Sequence, residues 1–495
     1  MASPPTVELM PTGEMTEAPG AVSREKSDTS LIWRNAAAIG IARVGSVVLD
    51  GLAYIVTARY FGPAAYGNYL SILVFLNLID VAADMTIMDV TVREMSKEPE
   101  QAGSWLAAGT VVRLAIAGIG LVAFIVYIRL SGYSGELLQA AWIGALMLPA
   151  GALRMPLAVF RARLRMHYEL AIVLITRLVN VLLVLWLIYS HGAMHHFFAV
   201  TAGSRILLAV LCWGAAIGLF RVQLARPGQR LRTLVRESIP MGVSGLFVAV
   251  QFRGDILMVA NMGGATIAGL YGAIAQLPEY SLYLPVIIST PMLPLLTTSY
   301  GESAPVRFES LYRNMFKSVV TMVIPFAVAA IVLPQGAITF VFGTAYIAVA
   351  PILPLIVLSI VAIWVSHVIS ITAVAVGLQA NFIWTQSVCL TSYLLLNWLA
   401  IPRWGIAGAA AIRLITTVLA PALIYIIVKR RTGFSLKIVE IRGSLIAGAS
   451  MAIIVLLGSS LPFVVAATMG SIAYVALLLA DRKHYTAFRK RTQCS

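Results

Sequence analysis

From about residue 35 to residue 480 the chain is a succession of apolar stretches. Each runs to about 20 residues or more, enough to cross a hydrocarbon core of roughly 30 Å as an α-helix. Fourteen spans can be read, at approximately 35–60, 69–92, 105–129, 137–160, 169–190, 196–220, 238–262, 268–299, 315–335, 347–377, 382–402, 404–428, 442–461 and 463–480. A bilayer leaves no water to satisfy a broken backbone, so such a chain folds as helices or a closed barrel. The short alternating strands of a barrel are not visible. Of the 495 residues, 60% are hydrophobic and 12% charged. Soluble domains carry about 25% charged residues, so the chain is expected to be an all-α polytopic membrane protein. Prolines and glycines inside several spans (Pro149, Gly151 and Pro156; Pro278 and Pro285; Pro351 and Pro354) predict kinks.

The 36 Lys and Arg residues are sorted by loop. One set of alternate loops plus both tails holds 26, the opposite set only Arg129 and Arg403, and eight fall inside spans. Basic residues collect on cytoplasmic loops, which places both termini in the cytoplasm and requires an even number of spans. The net charge of +15 is therefore read as orientation, not as affinity for nucleic acid. Cys212 and Cys389 lie in spans and Cys494 near the end, without disulfide or metal-ligand spacing. The expected organisation is a disordered cytoplasmic tail (1–30), an N-terminal lobe of helices 1–6 (31–220), a basic cytoplasmic linker (221–236) and a C-terminal lobe of helices 7–12 (237–430). An extra helix pair (431–481) and a basic cytoplasmic tail (482–495) follow.

A repeat supports the two lobes. The junction Arg59–Tyr69 carries Gly62, Gly67 and Tyr69 in the spacing G-x4-G-x-Y, and Gly264, Gly269 and Tyr271 repeat it at a second junction between apolar segments. Two pseudo-repeated six-helix lobes facing each other across a central cavity are expected, each opened by this hairpin.

Charges inside spans are costly and usually face a lumen or a partner. The first six spans hold Arg43, Arg59, Arg113, Arg154, Arg177 and Arg205 against Asp50, Asp80, Asp84 and Asp89. Spans 7–12 hold Arg253 and Arg413 against Asp255 and Glu279. At 1.5 Å per residue, Arg43 and Asp84 sit about 13 Å from the cytoplasmic side. Arg113 and Arg177 lie at similar depth, Arg154 slightly shallower, and Arg205, Arg253 and Arg413 in the outer half. Arg43 shares a helix face with Asp50, as Asn77 does with Asp84 and Asp80. Thr176, Arg177 and Asn180 form one polar patch, and Gln276, Glu279, Tyr280 and Tyr283 another. Arg253 and Asp255 point roughly opposite ways. Arg59 reads as an interfacial residue, and Arg43 with Asp80 or Asp84 as either a packing ion pair or part of a lumen. His367, alone in its span, reads as a packed polar residue. The arginine surplus marks Arg43, Arg113, Arg154, Arg177, Arg205, Arg253 and Arg413, with Glu279, as candidate substrate-binding residues. Guanidinium binds phosphate in a bidentate fashion and stays charged at physiological pH, so an anionic headgroup such as pyrophosphate fits.

Four motifs resemble the polysaccharide flippase family of the multidrug/oligosaccharidyl-lipid/polysaccharide exporter superfamily. They are Arg59–Tyr69 with Asp80 downstream, Arg253-Gly-Asp255 followed by Gly264–Tyr271, Phe342-Gly-Thr-Ala-Tyr346, and Trp404-Gly-Ile-Ala-Gly408-Ala-Ala-Ala. The likeness spans about residues 31–430. It implies a V-shaped cavity with alternating access and transport of undecaprenyl-pyrophosphate-linked oligosaccharide across the bacterial inner membrane. It also implies a role in exopolysaccharide, capsule or O-antigen synthesis, with membrane lipid, a polysaccharide polymerase and a chain-length regulator as partners. No cofactor is expected; Asp50, Asp80, Asp84 and Asp255 are candidates for proton or sodium coupling or for ion pairs. Spans 13 and 14 exceed the superfamily's twelve, and Arg413 stands where a small or hydroxylated residue is expected, so it either contributes to substrate choice or pairs with Asp255. A cation-coupled multidrug antiporter is the alternative, but it predicts an acidic lumen. A membrane polymerase or ligase needs a sizeable outer loop bearing catalytic groups, and the longest, about residues 335–346, is largely apolar.

Overall fold

The structure is a computed structural model that describes the backbone of residues 21–84, 86–220, 226–302, 304–436 and 438–493. Side chains are described from 45 to 480 within those stretches, apart from 240, 241, 438 and 439. Every regular element among the described residues is helical. The first half contains α1 (Ala21–Asp84), α2 (Ile87–Lys97), α3 (Ala102–Leu130), α4 (Gly135–Ala145), α5 (Met147–Ala152), α6 (Leu157–Ala162), α7 (Met166–Tyr189) and α8 (Met194–Gly218). The second contains α9 (Arg230–Gly263), α10 (Ala265–Ala275), α11 (Leu277–Ser281), α12 (Tyr283–Ser289), α13 (Met292–Gly301), α14 (Pro305–Val332), α15 (Pro334–Phe342), α16 (Leu353–Ala375) and α17 (Asn381–Thr432). Two further helices, α18 (Arg442–Leu457) and α19 (Phe463–Gln493), close the chain.

Two of these elements are hairpins. A straight α1 of 64 residues would run about 96 Å, three times the thickness of a bilayer core. It breaks at Gly62, whose φ of 67° and ψ of 173° suit only glycine. Pro63 follows, where its fixed φ starts the second arm. The rings of Tyr54 and Tyr66 then meet with centroids 5.7 Å apart, whereas twelve residues of continuous helix would separate them by about 18 Å. In α17 the break is Gly405 (φ 56°, ψ −138°), and the arms close so tightly that a Cβ on Gly408 would lie 2.8 Å from the Ala400 carbonyl oxygen. Gly264, with φ 82° and ψ 171°, adopts nearly the backbone conformation of Gly62. The repeated motif is thus a repeated turn.

Among the described residues, ten helical runs are long and apolar enough to cross a membrane, or eleven if the run from Ala265 to Gly301, bent by 50°, is one span. The fourteen spans expected from the sequence are not reached by that count. The runs Gly45–Lys97 and Asn381–Thr432 each contain a hairpin, and α18, at 16 residues, is short. The breaks between α5 and α6 and between α10 and α13 fall around the prolines at 149, 156, 278, 285 and 291. The chain is an integral membrane protein.

The largest apolar core joins the two halves. Tyr54, Tyr66, Tyr69 and Leu70 of α1 pack with Ile256, Ala268, Tyr271 and Ile274, and with Tyr346 and Val349. Two smaller cores flank it: Ile87, Trp105, Val159 and Phe160 of the first half pack with Leu234 of α9, and Phe308, Tyr312, Val319 and Trp364 pack within the second half. At the seam the hairpins touch backbone to backbone. A Cβ on Gly67 would overlap the Ala265 carbonyl oxygen and come within 2.8 Å of Gly269 N; one on Gly269 would overlap the Pro63 carbonyl and come within 2.8 Å of Gly67 N. Tyr54 Oη donates to the Gly272 and Ala273 carbonyls (2.6 and 3.0 Å), and Tyr346 Oη to that of Ala58 (2.8 Å). Arg59, expected at an interface, donates to the carbonyls of Val341 (2.8 Å) and Phe340 at the end of α15, where unpaired carbonyls and the helix dipole favour a cation. α18 and α19 pack against α14 through Ala329, Ala447, Met451, Val455 and Tyr474.

Candidate functional site

A cavity of about 310 Å³ lies between the halves, lined by α1, α5, α7 and α8 on one side and by α9 to α12 on the other. Its charged lining is Arg154, Arg177, Arg205 and Arg253 against Asp50 and Glu279, an excess of two positive charges. Asn77, Thr176, Asn180 and Gln276 add neutral hydrogen-bonding groups, and Tyr54, Tyr280 and Tyr283 add aromatic ones. Both polar patches read from the sequence face it. Tyr54, Thr201 and Ser204 escaped that reading. Thr201, Ser204 and Arg205 recur at the i, i+3, i+4 spacing of one helix face, which was the available signal.

Beside the cavity, three arginines share two carboxylates. Arg205 donates to Asp80 at 3.3 Å and to Asn77 Oδ1 at 2.7 Å. Arg113 and Arg154 each stand 3.5–3.6 Å from both Asp80 and Asp84. Arg113 is fully buried, yet its Nε and Nη2, like Asp80 Oδ1 and Asp84 Oδ1, lack a hydrogen-bond partner among the described residues. These four pairs lie beyond the usual 2.7–3.2 Å of a strong hydrogen bond, so the cluster is held together by charge and keeps donor capacity. Arg154 and Arg205 already belong to the lining, so adding Arg113, Asp80 and Asp84 leaves the cavity and its surround with one surplus positive charge.

The remaining charges are paired more tightly. Arg177 meets Asp50 at 2.8 Å, and the Arg177 side chain is still 47% exposed. Arg253 grips Glu279 through two bonds of 2.5 and 3.0 Å. Asp255, two residues on, faces away from the cavity. There Arg413 contacts both of its oxygens at 2.8 and 2.9 Å, Tyr271 Oη donates to it at 2.5 Å, and Arg413 also donates to the Phe252 carbonyl. Asp255 and Arg413 are buried and do not line the central cavity. Of the two roles open to Arg413 in the sequence, the geometry shows the pairing. Arg43 lies on α1, but its side chain is outside the described residues; Asp80 and Asp84, its anticipated partners, are met by Arg113, Arg154 and Arg205.

Arg154 also lines a second cavity of about 370 Å³, with Asp84, Thr86, Asp89, Arg161, Gly242 and Gly245. The two cavities therefore share one guanidinium as a common wall. Beyond it, Arg161 is fixed by a bidentate contact to Glu169 (2.7–3.2 Å), and Arg93 of α2 reaches Glu237 of α9.

The chain is thus a bundle of broken helices with a cationic polar cavity between its halves. The fold is similar to that of the lipid II flippase MurJ in an inward closed conformation (14% identity, 90% of this chain and 99% of that chain covered, TM-score 0.76). It is also similar to an inward-facing multidrug resistance MATE family transporter of the MOP superfamily (15%, 78% and 94%, TM-score 0.63). A third similar structure is a MOP superfamily transporter from Pyrococcus furiosus described by the reverse polarity of its binding pocket (15%, 80% and 95%, TM-score 0.56). No curated protein matches the chain. A family model described as polysaccharide biosynthesis protein matches residues 32–299, more than half of the sequence, and the chain belongs to that family.

Proposed function

We propose that this protein is a flippase for undecaprenyl-pyrophosphate-linked oligosaccharide in the bacterial inner membrane, serving exopolysaccharide, capsule or O-antigen synthesis. The observation that carries this reading is the excess of arginine around the cavity, where Arg154 stands 3.5 Å from its carboxylates and the Arg177 side chain is 47% exposed. A pyrophosphate would offer these two guanidinium groups acceptors from the cavity side, in a site where low dielectric strengthens each contact. The polar and aromatic lining suits sugars, and the lipid tail would remain in the bilayer. The lobes 31–220 and 237–430 would rock about the hairpin seam, with both termini cytoplasmic and the pair 431–481 buttressing the second lobe. A polysaccharide polymerase and a chain-length regulator would receive the product. Asp50, Asp80, Asp84 and Asp255 each face an arginine, so proton or sodium coupling would have to break an ion pair. The arginine excess also weighs against a cation-coupled drug antiporter.

Arg177→Ala and Arg205→Ala are expected to cut transport of lipid-linked oligosaccharide at least tenfold in proteoliposomes, with the protein still present at wild-type level in the membrane. Loss of two or three charge-assisted hydrogen bonds of about 1.5–3 kcal/mol each is sufficient for that. Unchanged transport by both variants would remove the arginine mechanism. Acquired drug sensitivity without polymer loss in a deletion strain would favour the antiporter.

A further inference from the structure

The first turns of α9 are amphipathic. Leu231, Leu234, Val235 and Ile239 recur at the spacing of one helix face, and Arg232 and Arg236, one turn apart, stand beside it. Leu234 is fully buried in the core around Trp105, whereas Val235 and Ile239 stay exposed. Between this stretch and α3 lies a cavity of about 920 Å³, against about 310 Å³ for the central one. Its walls are apolar: Val111, Ala115 and Ile116 of α3, Leu231, Val235 and Ile239 of α9. Val111 and Ile239 are 46% and 48% exposed, so the cleft is open to what surrounds the bundle. A span that merely faces lipid presents a convex surface; here two helices part and leave a hollow.

Arg232 and Arg236 line the same cleft. Glu237, the one acidic residue from Arg230 to Ile239, is engaged by Arg93 of α2, and neither arginine has a carboxylate partner among the described residues. Arg230 lies over the Trp105 ring, 5.7 Å from its centroid, which sets α3 and α9 side by side at the linker end. From there Arg232 and Arg236 come first, and Ile116 and Ile239 lie deeper. The stretch of α9 able to cross the membrane, Gly242–Gly263, begins beyond them. The arginine stems can lie along the apolar wall while their guanidinium groups stay at headgroup level. A cationic mouth at the interface above apolar walls matches an amphiphile with an anionic head.

We propose that this cleft holds one anionic phospholipid of the leaflet on the side of the basic linker, its phosphate at Arg232 and Arg236 and an acyl chain against α3 and α9. The site is separate from the transport cavity: Arg253 stands about 26 Å beyond Arg236 along α9 at 1.5 Å per residue. One phosphate cannot serve both places, so the occupant is a resident lipid and not the cargo. The inference holds whatever the central cavity carries.

Native mass spectrometry of the purified full-length protein, titrated with dioleoyl-phosphatidylglycerol or dioleoyl-phosphatidylcholine, tests it. One phosphatidylglycerol is expected to bind about tenfold more tightly than phosphatidylcholine, since each arginine near an anionic headgroup is worth about fivefold in affinity. Arg232→Gln/Arg236→Gln should abolish that preference. Ala115→Trp, at an exposed position of the wall, keeps both charges and should weaken phosphatidylglycerol binding by filling the cleft. Arg430→Gln/Arg431→Gln, which removes the same charge from the exposed end of α17, should change nothing. Equal affinity of the two lipids for the wild type, an equal loss in the α17 variant, or binding untouched by Ala115→Trp overturns the proposal. Displacement of phosphatidylglycerol by undecaprenyl pyrophosphate would make the cargo lipid the occupant, and a lipid-free dimer broken by Ala115→Trp would make it a second copy; either result also overturns it.

Discussion

Gly67→Leu is expected to abolish transport while leaving the helices intact. The first atom of any side chain at this position overlaps the Ala265 carbonyl oxygen of the opposing hairpin. Ordinary overpacking costs roughly 1–3 kcal/mol, because side chains can turn aside. Here the obstacle is backbone, and no rotamer relieves it. A bias of about 2.7 kcal/mol shifts a two-state equilibrium a hundredfold, so the closed seam would become a minor state. Gly67→Ala should already lower transport at least tenfold, with Gly269→Ala matching it because the contact is reciprocal. Cysteines placed at Pro63 and Ala265 should crosslink readily in an otherwise cysteine-free background and lose that crosslink in the Gly67→Leu variant. Wild-type transport by Gly67→Leu would show that the seam does not need to close.

Asp255→Ala should be the most destabilising single substitution among the intramembrane charges. It leaves Arg413, 2% exposed, without its counter-ion, and removes the acceptor of the Tyr271 hydroxyl. Breaking a buried pair from one side costs about 3–5 kcal/mol, whereas replacing both partners by apolar groups is often neutral. The single variant should therefore unfold at markedly lower temperature in detergent, and the double variant Asp255→Leu/Arg413→Met should recover most of the loss. The Asp50 pair should behave differently. Its partner Arg177 is half exposed to the cavity, so Asp50→Ala is expected to change stability little. Equal melting temperatures for Asp255→Ala and the parent would sink this account.

The architecture was largely legible in the sequence because it is written in short range. Apolar length marks the helices, prolines mark their breaks, and G-x4-G-x-Y marks the turns where Gly62 and Gly264 take positive φ. The opposing directions of Arg253 and Asp255 followed from helix periodicity alone. The partners did not. Periodicity says which way a side chain points on its own helix but not which helix stands there. Arg205 of α8 finds Asp80 of α1, and Arg177 of α7 finds Asp50, across separations of more than a hundred residues. Arg413 and Asp255, 158 residues apart, were one of two possibilities until the geometry brought them within 2.9 Å. His367 read as a packed polar residue; Ser366 and Ser370 flank it on its own helix, and Gln251 of α9 with Gln386 and Thr417 of α17 line a pocket with it.

The surplus positive charge around the central cavity has an electrical consequence. A pyrophosphate linking lipid to sugar carries two negative charges, so loading turns the net charge of the site from one positive to one negative. Moving one elementary charge through a full membrane potential of 100 mV involves about 2.3 kcal/mol. Under the proposed rocking exchange, an inside-negative potential would push the laden site outward and pull the vacant site inward. An inside-negative potential clamped in proteoliposomes should therefore speed both a single laden passage and the vacant return. The arginines would then do two things: hold the cargo, and tie the direction of the empty stroke to the cell's own potential.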